Sequence, residues 1–166
     1  MDTWAIAFLG GILGAVLMDL TEIGMGKAGL SSGVTVALVG RWVLGWRHGR
    51  LVHNNILNSK ALPHEVGVGW AFHFLVGGGA VALAYPLFFE MSGLPQPANH
   101  LLGSLAFGLA TSALPWFVLL PCFGWGIFGV RGPEGSRALL AATLSHIPYG
   151  LGLGVAMTAG PVLLAT

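Results

Sequence analysis

Four stretches of this chain carry no Asp, Glu, Lys or Arg: Thr3–Met18, Val66–Phe89, Met91–Val130 and Ala138–Thr166, of 16, 24, 40 and 29 residues. An α-helix rises 1.5 Å per residue, so crossing a hydrocarbon core of ~30 Å takes about 20 apolar residues. Runs of this length leave few alternatives to membrane-spanning helices. The first run alone reaches only about 24 Å, so its helix is expected to continue past Asp19 and Glu22, over about 3–24. The second run predicts a helix over about 66–90. The third is too long for one helix and is interrupted by Pro115 and Pro121. Its helix is placed at about 98–120, and Pro121–Val130 reads as a loop or short interfacial turn. The fourth run predicts a helix over about 138–164.

Composition agrees. Of 166 residues, 7 are Lys or Arg and 6 are Asp or Glu, 8% in all, while 55% are hydrophobic. An ordinary soluble domain carries about 25% charged residues. So little charge argues against a disordered chain, a nucleic-acid binder and a cytosolic enzyme domain. The expected fold class is all-α integral membrane, a single domain over 1–166 with four transmembrane helices. A basic n-region of the kind that marks a cleaved signal peptide is missing, since the first Lys is Lys27. The first apolar segment is therefore expected to be retained. One cysteine, Cys122, allows no intrachain disulfide.

The cations predict orientation. Lys27, Arg41, Arg47, Arg50 and Lys60 lie between the first two helices, and Arg131 and Arg137 between the last two. The intervening loop and both ends of the chain carry none. The positive-inside rule puts both basic loops in the cytoplasm and both termini outside it. The expected partners are the lipid bilayer and a second copy of the chain or a partner membrane subunit.

The first basic loop contains a further apolar segment. Leu38, Trp42 and Trp46 recur at i, i+4 and i+8, which is one helical stripe. An amphipathic interfacial helix is expected over about 34–47, with Arg41, Trp42, Trp46, Arg47 and Arg50 at headgroup depth. The alternative is a stripe docked on the other helices.

Glycine supplies 27 residues, many inside the expected helices, including the Gly10–Gly14 pair. Lipid gives no hydrophobic drive between helices, so small residues serve close backbone contact.

Ionisable groups inside a bilayer are costly and mark candidate sites. His73 lies 8 residues into the second helix and His146 9 residues into the fourth, so each is ~12–14 Å below the cytoplasmic end. Asp19 and Glu22 form an i, i+3 pair at the end of the first helix. Glu65 and His73 share nearly one helical face. Thr111 and Tyr149 can hydrogen-bond in the same layer, and Pro115 deprives the Thr111 carbonyl of its helical partner. Two acids held together raise one carboxyl pKa, and histidine titrates near neutrality. The leading expectation is a non-enzymatic, small transporter-like or channel-like protein with a proton- or cation-responsive polar site. The alternatives are interhelical hydrogen bonding in an accessory subunit, or a redox protein holding a divalent metal or haem on His73 and His146. No HxxxH, HExxH or CxxC spacing supports metal. Ser145 and His146 are adjacent, point apart on a helix and form no catalytic dyad.

An ordered series of short motifs runs along the chain: Met18-Asp19, Val39-Gly40-Arg41-Trp42, Gly49-Arg50-Leu51-Val52-His53 with Ile56, then Glu65, Gly69-Trp70 and His73. It continues through Thr111, Pro115, Pro121, Gly124, Gly126, Pro133 and Arg137 to His146 and Gly150-Leu151-Gly152. In this series the chain resembles the bacterial membrane family DUF2938 over nearly its whole length. The resemblance implies a multi-pass inner-membrane protein, brings no activity with it, and suggests that Asp19, Arg41, His53, Glu65, His73 and His146 act as one group.

Overall fold

A computed structural model describes residues 2–163, and of 162 and 163 the backbone only. Among the described residues there are helices and turns and no strand. Four helices are long and apolar enough to cross a membrane: α1 (Thr3–Lys27), α3 (Glu65–Ser92), α4 (Leu101–Cys122) and α5 (Arg137–Leu163). The short α2 (Val36–Gly45) lies between α1 and α3. The four long helices fall where the uncharged runs predict them. The expected end of the fourth at residue 164 lies outside the described residues.

The chain divides into two compact units. The first comprises residues 2–21, 74–110 and 145–163. Its helices meet through glycines. A Cβ on Gly11 would overlap the Gly78 carbonyl, and one on Gly14 would overlap the Tyr149 carbonyl. One on Gly108 would lie 2.7 Å from the Gly150 Cα. The small residues therefore pack helix backbones against one another, the arrangement membrane helices favour. Ile6, Ala7, Ala82, Tyr85, Leu153 and Met157 fill the remaining space.

The second unit comprises Glu22–His73 and Thr111–Leu144. Its core is Leu38, Val39, Trp42, Ile56, Leu120, Phe123, Trp125 and Ala138. Thr35 opens α2 by accepting a hydrogen bond from the Leu38 N–H at 3.3 Å, an N-cap that satisfies one otherwise unpaired donor. A single 3-10 turn, Trp46–His48, follows, and Gly49 ends it at φ +67°. α2 lies directly on α3. A Cβ on Gly40 would overlap the Glu65 carbonyl, and one on Gly69 the Val36 carbonyl.

Of the segment expected as an amphipathic helix over 34–47, Val36–Gly45 is α-helical, and its stripe is docked on α3, the second of the two arrangements considered. Leu38 and Trp42 are 5% and 8% exposed. The Trp42 ring meets Phe72 and Phe123 edge-on at centroid distances of 5.8 and 6.3 Å. Its indole N–H donates to the Leu51 carbonyl at 2.8 Å. Burial of so large an aromatic against α3 is favourable, and the two glycines make the approach possible. Trp46 stays partly exposed, at 39%.

Pro121–Val130 is likewise no simple surface loop. Phe123 and Trp125 are buried. The Phe123 carbonyl accepts from the Ile56 N–H at 2.9 Å and the Cys122 carbonyl from the His53 N–H at 2.8 Å. Trp125 Nε1–H donates to Asn55 Oδ1 at 3.3 Å. Gly124, at φ +83°, faces the Asn54 carbonyl so closely that a Cβ would overlap it.

Two long helices depart from α geometry. α3 widens into π-helical turns over Phe72–Ala80, and α4 does so over Pro115–Leu119. The proline explains the second, because it has no N–H to return to Thr111. Wide turns of this kind are rare and often mark functional positions.

Candidate functional site

Arg41 sits at the centre of the polar chemistry of the second unit. The stripe of α2 that carries Leu38 and Trp42 turns Arg41 to one side. Its side chain is 13% exposed and that of Glu65 11%. Nε and Nη2 of Arg41 donate to Oε2 and Oε1 of Glu65, each at 2.9 Å. This is a bidentate, charge-assisted pair, the strongest common geometry for such ions. Nη1 donates to the Ser59 carbonyl at 2.9 Å and to the Ile56 carbonyl at 3.4 Å. Glu65 Oε2 also accepts from the Leu62 N–H at 2.9 Å. The carboxylate thus closes the first turn of α3, where a negative charge is favourable. The Arg41 guanidinium, expected among the headgroup residues, is thus engaged by Glu65 and two carbonyls.

Ser59 links this pair to a histidine. His53 Nδ1 lies 2.9 Å from Ser59 Oγ. His53 Nε2 is buried with no hydrogen-bond partner. Burial, then the charges of Arg50 and Arg41, push the His53 pKa below its ordinary value. The same neighbourhood forms a half-open pocket of about 220 Å³ lined by Arg41, Gly45, His48, Arg50, His53, Ser59, Lys60 and Leu62, of which His48, Arg50 and Lys60 are exposed. The Arg41 charge is balanced by Glu65, whereas Arg50 and Lys60 have no carboxylate in the lining. The net charge of the lining is positive.

The remaining expected residues fall as follows. His73 and Thr111 lie in the second unit, with the His73 ring 6.0 Å from that of Trp70. Thr111 is buried. Asp19, His146 and Tyr149 belong to the first unit and Glu22 to the second. Asp19, Glu22, His73, Thr111 and His146 are all engaged by neighbours. The Tyr149 hydroxyl donates to the Gly78 carbonyl at 2.8 Å, inside the π-helical stretch where regular backbone pairing is disturbed. Among the described residues no group of three or more His, Cys, Asp or Glu side chains is arranged to hold a metal ion. Of the six-residue group implied by the resemblance, Arg41, His53 and Glu65 share one network through Ser59.

His48, Ser59 and Lys60 carry no sequence signal of a site. Nor does His100, which is buried with its Nδ1 3.2 Å from the Tyr85 hydroxyl. Its backbone N–H donates to Thr158 Oγ1 at 2.9 Å. The one signal for the basic pocket was the density of cations between residues 41 and 60.

A family model described as "Protein of unknown function (DUF2938)" matches residues 8–159. Neither the curated proteins nor the solved structures contain a match.

Proposed function

The chain belongs to the DUF2938 family, and on that footing we propose that it is a multi-pass protein of the bacterial inner membrane that captures a small anion at its cytoplasmic side. The observation that carries this reading is the basic pocket, which Arg50 and Lys60 line with no carboxylate among the described lining residues, while Glu65, paired to Arg41 of that lining, is neutralised by it. A cation-binding site would need the opposite balance. At this pocket the balance therefore favours an anion over the cation of the leading expectation, with His53 as the proton-responsive group.

The seven cations of the chain support the orientation in which this pocket faces the cytoplasm and both termini lie outside it. The π-helical stretch of α3, which starts beside His73, supports a transporter-like rather than a purely receptor-like role. Irregular backbone in a spanning helix is tolerated where protein or an aqueous cavity surrounds it.

Uptake of radiolabelled sulfate and phosphate into proteoliposomes tests the reading. Wild-type protein should accumulate label above empty liposomes, and Arg50→Gln with Lys60→Gln should abolish the difference. His73→Ala should retain binding and lose flux. Binding without flux in the wild type would remove transport and leave anion capture.

A further inference from the structure

We propose that the pocket binds a doubly charged tetrahedral oxyanion, a phosphate or sulfate group, together with a proton on His53. The inference rests on the anion reading above and adds the ligand class and its coupling.

Three observations meet at one place. First, Arg50 and Lys60 supply two cationic side chains to a cavity of about 220 Å³, enough for such a group with a small substituent. Arginine and lysine are the usual partners of phosphate oxygens. Second, His53 lines that cavity with Nδ1 fixed against Ser59 Oγ and Nε2 buried and unpartnered. A buried polar atom without a partner costs on the order of 1–3 kcal/mol, and an anionic oxygen would satisfy it. Third, Gly45 leaves the space open. A Cβ there would stand 3.7 Å from His53 Nε2 and 3.2 Å from the Arg50 carbonyl oxygen.

The groups that face His53 fix the direction of coupling. α2 contributes Arg41, the turn after it His48, the following segment Arg50, and the approach to α3 Ser59 and Lys60. Glu65 reaches the cluster only through Arg41. From the segment after α4 comes the Cys122 carbonyl, which takes the His53 backbone N–H. The ring therefore stands among cations. Without an anion, burial and then the charges of Arg50 and Arg41 disfavour its protonation. A bound oxyanion offsets Arg41 and Arg50, accepts from Nε2–H and raises the affinity of the ring for a proton. By linkage, the proton raises the affinity for the anion.

Sulfate is the probe, because it keeps two negative charges between pH 5.5 and 8. Calorimetry on the full-length protein should show binding that tightens as pH falls, by up to about tenfold per pH unit across the His53 titration. Titrations in two buffers of different ionisation enthalpy should show net proton uptake. His53→Gln should bind sulfate with an affinity that changes less than about twofold over the same range. Gly45→Ala, which changes no charge, should weaken binding about fivefold or more. The same titration in nanodiscs of phosphatidylcholine and of phosphatidylcholine doped with phosphatidic acid, whose phosphomonoester can carry two charges, separates the sources. Competition by phosphatidic acid identifies a lipid phosphate, and its absence a free oxyanion.

Sulfate binding with no proton uptake, or with an unchanged pH profile in His53→Gln, overturns the coupling and leaves the anion reading standing. No saturable binding of sulfate or phosphate at any pH overturns both.

Discussion

Arg41 and Glu65 stand 24 positions apart in sequence and meet through two parallel hydrogen bonds of 2.9 Å. The pair fastens α2 to the first turn of α3. It also neutralises Glu65 beside the pocket that Arg50 and Lys60 line.

Breaking this pair should be costly. Removing one partner strands the other charge with little solvent, at about 3–5 kcal/mol. Arg41→Ala and Glu65→Ala are each expected to lower the thermal midpoint in detergent strongly. Arg41→Leu combined with Glu65→Leu should cost less than either single change, because no unpaired charge remains. Unfolding midpoints of the three variants check this.

The contact beneath the pair depends on missing side chains. Gly40→Ala and Gly69→Ala place a Cβ against backbone carbonyls that cannot swing aside. Overpacking of this kind costs about 1–3 kcal/mol and sometimes more. Gly67 lies on the same helix with nothing within 4 Å of a Cβ, so Gly67→Ala should be neutral or slightly stabilising. The three midpoints should separate accordingly.

Tyr149 offers a smaller effect. Its hydroxyl satisfies the Gly78 carbonyl within a π-helical stretch. Tyr149→Phe leaves the ring packed and removes one hydrogen bond, at about 0.5–1.5 kcal/mol. Denaturation in mixed micelles should show a modest loss with no change in sulfate affinity.

Acid should destabilise the anion-free protein. The folded pKa of His53 is lowered by burial and by Arg50 and Arg41, and burial lowers that of His100. The unfolded chain then binds protons more readily, so stability falls as pH drops through the ordinary histidine range near 6.5. The loss should be complete below the lowered folded values. His53→Gln should remove part of it, and saturating sulfate should oppose it. Unfolding midpoints measured between pH 7.5 and 5 read all three.

Much of this architecture was legible in the chain itself. Uncharged runs of 24 and 29 residues can bury their backbone in few ways, and α3 and α5 appear where those runs lie. The docking of α2 was harder to read. The stripe of Leu38 and Trp42 looks alike whether it faces lipid headgroups or Phe72 and Phe123, since periodicity reports a face and not what covers it. Gly40 and Gly69 carried the missing information, because only paired glycines permit such an approach. Candidate residues showed the same split. Asp19, His73 and His146 stood out as ionisable groups in apolar runs. The pocket was hidden because His48, Ser59 and Lys60 lie in a polar loop, where side chains of these types are ordinary. The return of residues 51–62 onto Cys122 and Phe123 brings them to one pocket.

Equilibrium dialysis of radiolabelled sulfate against the full-length protein, at low ionic strength and pH 6, tests the basic pocket most directly. One saturable site per chain is expected. Affinity should fall at least about tenfold in Arg50→Gln combined with Lys60→Gln, should weaken with added salt as exposed charges are screened, and should hold within about twofold in Arg47→Gln, outside the lining. No saturable site, or one that the double substitution leaves intact, would contradict an anion pocket at this position.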